Sequence, residues 1–410
     1  MIQKLLPIIL LGMILLTACG PQPAPPADDT GWTSEGVQGA ANSNNRFAFD
    51  LYSELNKGSG NIFVSPWSIS TALAMAYEGA RGETAEQMRK VFYFNPDDAD
   101  RRASFASMHN ILNPENPDYL LSTANALWVQ ESYPLLEEYK ETVRNYYAGE
   151  STNVDFEGAT EESRKTINSW VEEQTNDKIK DLFPAGSLDA STRLVLTNAI
   201  YFKGTWVKQF DKGDTRDMPF RVKQEGEVQV PMMSRTDREA EFGYLETDEL
   251  RVLEMLYEGD DLSMLVLLPR ADDISPLENS LSATQLEGWR NQLLEQRVDA
   301  YIPKFTFETK YFMSNTLSEM GMPLAFSEAA DLSGMDGTTK LFIQAVIHQA
   351  FVDVNEEGTE AAAATGVSVA QESMPPPVPV FRADHPFIFI IQERETGNIL
   401  FLGKVVNPLS

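Results

Sequence analysis

Apolar residues in the first half of the chain recur with helical spacing. The clearest stripe follows Ser65-Pro66, which offers a capping side chain and a proline at the first helical position, and Gly79 is a plausible stop. A second stripe runs through residues 161–182. We predict amphipathic helices at both places, because residues three and four apart share one face of a helix. The first stripe consists of Ile69, Ala72, Leu73, Ala76 and Tyr77.

The second half of the chain is rich in aliphatic, aromatic and β-branched runs, which are typical of strands. Glu258-Gly259-Asp260-Asp261 predicts a turn between two of these runs, and Thr396-Gly397-Asn398 predicts a hairpin near the end. Helices in the first half and strands in the second favour an α+β fold with large, mostly antiparallel sheets. The predicted strands are residues 193–201, 252–257, 262–268, 300–307, 387–392 and 399–406.

Residues 356–379 combine a strand pattern with poor strand formers. If Thr359 points inward, alternate residues as far as Val369 form one face of a strand. Four consecutive alanines and two glycines are weak strand material, however, and the prolines from Pro375 onward end any ladder. The segment is either a strand that inserts into a sheet only on release or a flexible Ala-rich surface loop, and composition alone favours the loop.

Length and charge narrow the class of protein. With 410 residues the chain exceeds the usual single core, so two domains are the default expectation, yet no internal linker supports a split. The formal net charge of −28 argues against nucleic acid and against anionic lipid surfaces as partners, since both require basic patches.

The N-terminus carries the pattern of an export signal. Residues 1–18 contain Lys4, an apolar run too short for a comfortable membrane span, and a small-residue end. The stretch Leu16-Thr17-Ala18-Cys19-Gly20 resembles a bacterial lipobox, which predicts cleavage before Cys19 and lipidation of its thiol; a plain secretory signal is the alternative. We expect an extracytoplasmic protein held at a bacterial membrane or cell surface by acyl chains, with residues 19–45 as a flexible linker and a folded domain at 46–410.

Sequence motifs for catalysis or metal binding are missing. Cys19 is the only cysteine, and the three histidines are not in metal-binding spacing. No nucleophile elbow or phosphate-binding loop is present, so we expect no cofactor, no metal and no enzymatic activity. A Ser-His-Asp site assembled from distant positions stays open in principle, because triads are recognised by geometry. His348 lies in an apolar run and is expected to be a hydrogen-bonded core residue.

Six motifs follow one another between about Arg46 and Ser410: NIFVSPWSISTALAMAYEGARGET, LTNAIYFKGTW, IPKF, VNEEGTEAAAAT, ADHPFIFII and FLGKVVNP. Through these motifs the chain resembles the serpin family. The resemblance implies one domain with three β-sheets, about nine helices and an exposed reactive-centre loop near residues 356–380. It also implies a monomeric suicide-substrate inhibitor of serine, and sometimes cysteine, proteases, in which the cleaved loop inserts into the main sheet. A non-inhibitory binding or structural protein of the same fold is the alternative.

The resemblance extends to individual positions. It implies that Glu356 pairs with Lys304, that Trp206 lies where insertion starts, and that a polar cluster lies under the centre of the sheet, where strands must part. The inward hinge positions carry no charge, which favours an inhibitory member over the non-inhibitory ones. The implied polar cluster is Ser65, Ser68, Asn198 and His348, and the implied hinge is Glu356, Gly358, Thr359, Glu360, Ala361, Ala362, Ala363 and Ala364.

The bond that a protease would cut is less sharply defined. Alignment on Gly358 and Phe381 places it between Glu372 and Ser373, which implies a glutamate-accepting protease. A slip of two or three residues would place it after Val369 or Ala370, before Gln371, and would suit elastase-like enzymes. Cleavage between Met374 and Pro375 is not expected, because a proline after the bond blocks most proteases.

Overall fold

The computed structural model describes residues 26–114, 118–222, 226–359 and 378–410. Within these ranges the chain forms ten α-helices and two short 3-10 helices, Lys212–Asp214 and Pro323–Phe326. The helices are α1 Ser34–Leu55, α2 Pro66–Gly79, α3 Gly82–Phe92, α4 Asp98–Leu112, α5 Glu137–Tyr147, α6 Phe156–Gln174, α7 Ser275–Ser280, α8 Ala283–Arg290, α9 Met313–Glu319 and α10 Ser333–Asp336.

The strands of the described residues form three sheets, which confirms the α+β prediction. The first strands are β1 Ile62–Val64, β2 Tyr119–Gln130, β3 Glu150–Val154, β4 Leu194–Thr205, β5 Arg216–Val222, β6 Gly226–Arg235, β7 Glu241–Glu246, β8 Leu250–Leu256 and β9 Leu262–Pro269. The remaining strands are β10 Leu294–Arg297, β11 Asp299–Pro303, β12 Phe305–Phe312, β13 Ala345–Val354, β14 Gly358–Thr359, β15 Val380–Arg382, β16 Phe387–Glu393 and β17 Ile399–Val405.

The three sheets differ in size and position in the chain. The seven-stranded sheet has the order β1-β17-β16-β9-β8-β7-β10, and the four-stranded sheet has the order β15-β11-β6-β5. The six-stranded sheet, β12-β13-β14-β4-β2-β3, holds the candidate site. Helix α2 packs against both β4 and β17, so one apolar core joins the six-stranded and seven-stranded sheets. A smaller apolar cluster lies between α6 and β2.

The folded part begins earlier than the sequence predicts. We expected a flexible linker up to residue 45, but α1 begins at Ser34 and Ala27 is already buried. The side chain of Asn110 bonds to both the N–H and the C=O of Ala27, at 2.8 and 3.0 Å, and the hydroxyl of Thr33 caps α1. The linker prediction is therefore wrong for residues 26–45, because tertiary contacts order a segment whose composition is typical of a tether.

Two other sequence predictions need correction. The run at 300–307 is not one strand, because the chain passes from the four-stranded to the six-stranded sheet at Lys304, between β11 and β12. The helix predicted at 161–182 is α6, which ends at Gln174. Asn176, Asp177 and Asp181 have positive φ angles of 52°, 59° and 49°, which a continuing helix does not allow.

Candidate functional site

The centre of the six-stranded sheet contains a parallel pair of strands. Residues 345–351 of β13 pair with residues 195–201 of β4, and we call this pairing the seam. Beyond the seam the two strands separate, and β14 lies between them. Thr359 of β14 pairs with Val354 on one side and with Gly204 on the other, antiparallel to both. The start of the predicted hinge is therefore already a strand of this sheet.

The two residues of β14 fit closely into the sheet. The side chain of Thr359 is fully buried, and its hydroxyl lies 2.8 Å from the hydroxyl of Tyr257. A Cβ added to Gly358 would lie 2.0 Å from the carbonyl oxygen of Gly204, so no other residue fits here without a backbone shift. Thr359 points inward, as the sequence pattern assumed.

Two consecutive glutamates anchor the bend between β13 and β14. Glu356 accepts hydrogen bonds from Lys304 at 2.8 Å and from Thr215 at 2.7 Å. Burial alone would raise the pKa of Glu356, but the hydrogen bonds from Lys304 and Thr215 outweigh it and lower the pKa below its ordinary value. Glu357 forms an ion pair with Lys212, so both carboxylates are tied to the connection between β4 and β5.

Trp206 supports the same region. Its indole N–H donates to the carbonyl oxygen of Asn355 at 3.0 Å, and its backbone N–H donates to the carbonyl oxygen of Glu357 at 2.9 Å. Its ring stacks on Tyr257, with centroids 4.3 Å apart. Trp206 thus connects the end of β4 to the residues that precede Gly358.

A buried polar cluster lies under the seam. The imidazole Nε2 of His348 accepts a hydrogen bond from the backbone N–H of Ser65 at 3.1 Å, so Nε2 carries no proton. The other ring nitrogen, Nδ1, therefore donates to the side-chain oxygen of Asn198. Asn198 in turn donates to Ser68 and Asn125, each at 2.5 Å. Burial lowers the pKa of His348 to about 3, which keeps the imidazole neutral at ordinary pH.

The structure brings the predicted residues into two groups. One group is the cluster beneath the seam, formed by Ser65, Ser68, Asn198 and His348. The other lies at β14, which consists of Gly358 and Thr359, with Lys304, Glu356 and Trp206 beside it. The predicted residues Cys19, Glu360, Ala361, Ala362, Ala363, Ala364, Val369, Ala370, Gln371, Glu372 and Ser373 lie outside the described residues.

Sequence reasoning missed four residues that complete the site. Asn125 joins the polar cluster, and Tyr257, Thr215 and Lys212 contact the start of the hinge. Asn125 had a visible signal, because it is an amide directly before the apolar run Ala126-Leu127-Trp128-Val129. Lys212 and Thr215 had none, since surface residues of these types are common between strands.

No group of three or more His, Cys, Asp or Glu side chains within the described ranges is placed to hold a metal ion. None of the helices there has the length and apolar character needed to cross a bilayer.

Comparisons with known proteins agree with the geometry of the sheet. Residues 42–408 match the family model described as serpin (serine protease inhibitor). An uncharacterized serpin-like protein of Thermococcus kodakarensis is 46% identical over 373 residues, which cover 90% of this chain and 85% of the relative. The leukocyte elastase inhibitor of Bos taurus is 44% identical over 377 residues, covering 89% of this chain and 98% of the relative.

Ovalbumin and thyroxine-binding globulin are among the solved structures with the same fold. Uncleaved ovalbumin has a TM-score of 0.79 at 34% identity, covering 90% of this chain and all of the other. Human thyroxine-binding globulin has a TM-score of 0.83 at 32% identity, covering 92% of this chain and all of the other.

Proposed function

The chain belongs to the serpin family, and we propose that it is a suicide-substrate inhibitor of extracytoplasmic serine endopeptidases rather than an enzyme. The protease would attack the reactive-centre loop as a substrate. Insertion of the cleaved loop into the six-stranded sheet would then trap the acyl-enzyme.

The observation that carries this proposal is the position of Thr359. It already pairs with β13 and β4, is fully buried and has no charge. In the sequence, Ala361, Ala363, Thr365 and Val367 follow at period two, so the face that would be buried on insertion stays free of charge. Residues beyond Thr359 could thus extend β14 along the seam.

The topology of the sheet supplies a driving force for insertion. A strand that extends β14 would run antiparallel to both β13 and β4 and would replace their parallel pairing. One ladder would become two, and antiparallel pairing is slightly more stable per residue than parallel pairing. The backbone N–H and C=O groups of the reactive-centre loop would also gain hydrogen-bond partners in the sheet. An inserted stretch of roughly 14 residues, at about 3.3 Å each, would carry an attached protease nearly 50 Å.

The class of target protease depends on which bond is cut. We propose cleavage between Glu372 and Ser373 by a glutamate-accepting protease, with cleavage after Val369 or Ala370 by an elastase-like enzyme as the alternative. Relatives named leukocyte elastase inhibitor support the second class of target. The protein would act as a monomer and without a cofactor.

We also propose export and lipid anchoring at Cys19, on the strength of the lipobox-like stretch Leu16-Thr17-Ala18-Cys19-Gly20. Expression of the full chain in a bacterium should yield an N-terminal peptide that begins at Cys19 and carries acyl mass. A Cys19→Ser variant should lose both the acyl mass and the membrane fraction. An unmodified Cys19 in a soluble mature protein would contradict this part of the proposal.

The inhibitor proposal is tested by mixing the protein with an elastase-like and a glutamyl-specific serine protease. We expect a covalent complex that survives denaturant, together with a released C-terminal peptide whose mass identifies the bond. An Ala363→Arg variant should be cleaved without forming a complex, because residue 363 lies on the face that would be buried on insertion, where the charge would be unpaired. Ala363→Ser is the matched control and should still form the complex. Clean cleavage of the unmodified protein, with no complex and no gain in thermal stability, would instead favour a non-inhibitory binding or structural protein.

A further inference from the structure

A cavity of about 510 Å³ lies between the first halves of α1 and α4. Its volume is within the range of small-molecule sites, about 300–1,000 Å³. The buried rings of Phe94 and Phe105 line it, while α1 contributes the small residues Gly39 and Ala40. None of its lining residues belongs to the hinge or to the polar cluster under the seam.

Three oxygen atoms converge at the end of this cavity where Gly36 has no side chain. Around the point that a Cβ of Gly36 would occupy lie Asp100 Oδ1 at 2.5 Å, Ser104 Oγ at 2.6 Å and Thr33 Oγ1 at 3.1 Å. Ser104 is only 2% exposed, and its hydroxyl has no hydrogen-bond partner among the described residues. A buried hydroxyl without a partner is rare in native proteins and calls for a physical reason. We call these three atoms the oxygen cradle.

Local hydrogen bonds hold the oxygen cradle in place. The side-chain amide of Asn95 donates to Asp100 Oδ2 at 2.5 Å, which leaves Oδ1 directed to α1. Thr33 Oγ1 accepts from the backbone N–H of Gly36 at 3.0 Å, as the cap of α1. Asp100 Oδ1 and Thr33 Oγ1 are therefore held in position without a ligand, whereas Ser104 Oγ is left without a hydrogen bond.

The charges around the cavity favour a cation. Asp100 and Glu35 are the acidic residues of the lining, and Arg101 is its one basic residue. The guanidinium of Arg101 is paired with Glu78 at 2.9 Å and with Asp98 at 2.8 Å, while its Nε has no hydrogen-bond partner among the described residues. The positive ends of α1 and α4 would attract an anion, but caps and acidic first turns already compensate both helix ends.

We propose that this cavity binds a small primary amine with an aromatic or aliphatic body. An ammonium group has three N–H donors and no acceptor, so it suits an end of the cavity where side-chain oxygens, including the unpartnered Ser104 Oγ, lie close together. The bond to Asp100 would be charge-assisted and therefore stronger than one between neutral groups. The apolar body of the ligand would lie against Phe94 and Phe105.

Four related probes test the chemistry of the site on the intact protein. Phenethylamine should bind saturably in calorimetric or NMR titrations. Three compounds share the aromatic body: phenethyl alcohol lacks the charge, phenethyltrimethylammonium lacks the N–H donors, and phenylpropionate has a negative charge. Each of them should bind at least about tenfold more weakly than phenethylamine. Equal binding of any of the three, or no binding of phenethylamine up to about 20 mM, would overturn the proposal.

Two glycines of α1 provide matched variants. Gly36→Ala places a methyl group in the oxygen cradle, whereas a Cβ at Gly39 has no atom within 4 Å. We expect Gly36→Ala to weaken phenethylamine binding about tenfold or more and Gly39→Ala to leave it within about twofold. Ser104→Ala removes one acceptor without adding volume and should also weaken phenethylamine binding. If Gly36→Ala does not fold, Ser104→Ala alone tests whether phenethylamine binds in this cavity. Unchanged binding by Ser104→Ala and Gly36→Ala would overturn the assignment to this cavity.

Discussion

Tyr257 and Thr359 face each other in the protein interior, with their hydroxyl oxygens 2.8 Å apart and both side chains fully buried. Tyr257 belongs to the turn after β8, and Thr359 to the start of the hinge. The bond therefore links the connection between β8 and β9 directly to β14.

Removal of the Tyr257 hydroxyl should loosen the hinge. Tyr257→Phe keeps the ring that stacks on Trp206 but leaves the Thr359 hydroxyl buried without a partner. We expect the free energy of unfolding to fall by about 1–3 kcal/mol, measured by denaturant titration. In a double-mutant cycle with Thr359→Val, the double variant should lose less than the sum of the single losses, because neither polar group is then left alone. Strict additivity would show that the two hydroxyls do not interact.

Gly358→Ala should displace β14 from the sheet. The added Cβ would lie 2.0 Å from the Gly204 carbonyl oxygen and 2.8 Å from the Thr205 Cα, both of them backbone atoms. We expect a loss of about 1–3 kcal/mol, as for other overpacked sites, and faster amide hydrogen exchange at Thr359. Gly60→Ala is the control, since its Cβ would have no atom within 4 Å. Equal exchange at Thr359 in both variants would contradict a tight fit at Gly358.

His348 should make stability depend on pH. The imidazole titrates near 6.5 when unperturbed and near 3 in the folded protein, so between these values the unfolded state binds more protons. The contribution of His348 to the free energy of unfolding should therefore be fully present above about pH 6.5. It should decrease as the pH is lowered toward 3, by roughly 2 kcal/mol at pH 5. Carboxylates also titrate in this range, so the comparison is with His348→Gln, whose amide can accept from Ser65 and donate to Asn198. If the variant shows the same slope between pH 5 and 6.5, the histidine is not the cause.

Glu78 should be far more important to stability than an exposed glutamate. Its carboxylate lies 2.9 Å from Arg101, 2.6 Å from Arg102 and 2.6 Å from the hydroxyl of Tyr147, and its side chain is 2% exposed. Glu78→Ala leaves Arg101 buried without this partner and should lower the free energy of unfolding by about 3–5 kcal/mol.

The control for Glu78→Ala is Glu162→Ala. Glu162 and Lys165 form an exposed pair at 3.4 Å on α6, and its loss should not change the denaturation midpoint measurably. Similar midpoints for the two variants would mean that the buried network contributes little.

Local patterns in the sequence predicted the elements whose signals are local. Ser65-Pro66 caps α2 as predicted, and the hairpin around Gly397 joins β16 and β17. The start of α1 was missed because its residues are weak helix formers taken alone. Asn44 and Asn45 give the reason for its stability, since their side chains bond to residues 397–399, more than 350 positions later.

The candidate site was predictable only in part. The resemblance placed Lys304 beside Glu356, and the structure has that pair at 2.8 Å. The second hydrogen bond to Glu356 comes from Thr215, which no periodicity or motif connects with the hinge. Such a contact depends on how the connection after β4 folds back over the sheet, and that geometry is set by packing between distant segments.

The seam also has a consequence for how the chain folds. His348 meets Asn198 across it, 150 positions apart in the sequence. Pairs that close so large a loop form late, so β13 and β4 spend part of folding with free edges toward each other. A second chain that offers its own residues 356–370 can occupy that gap before the seam closes. We therefore expect the yield of monomer on refolding to decrease as the protein concentration rises.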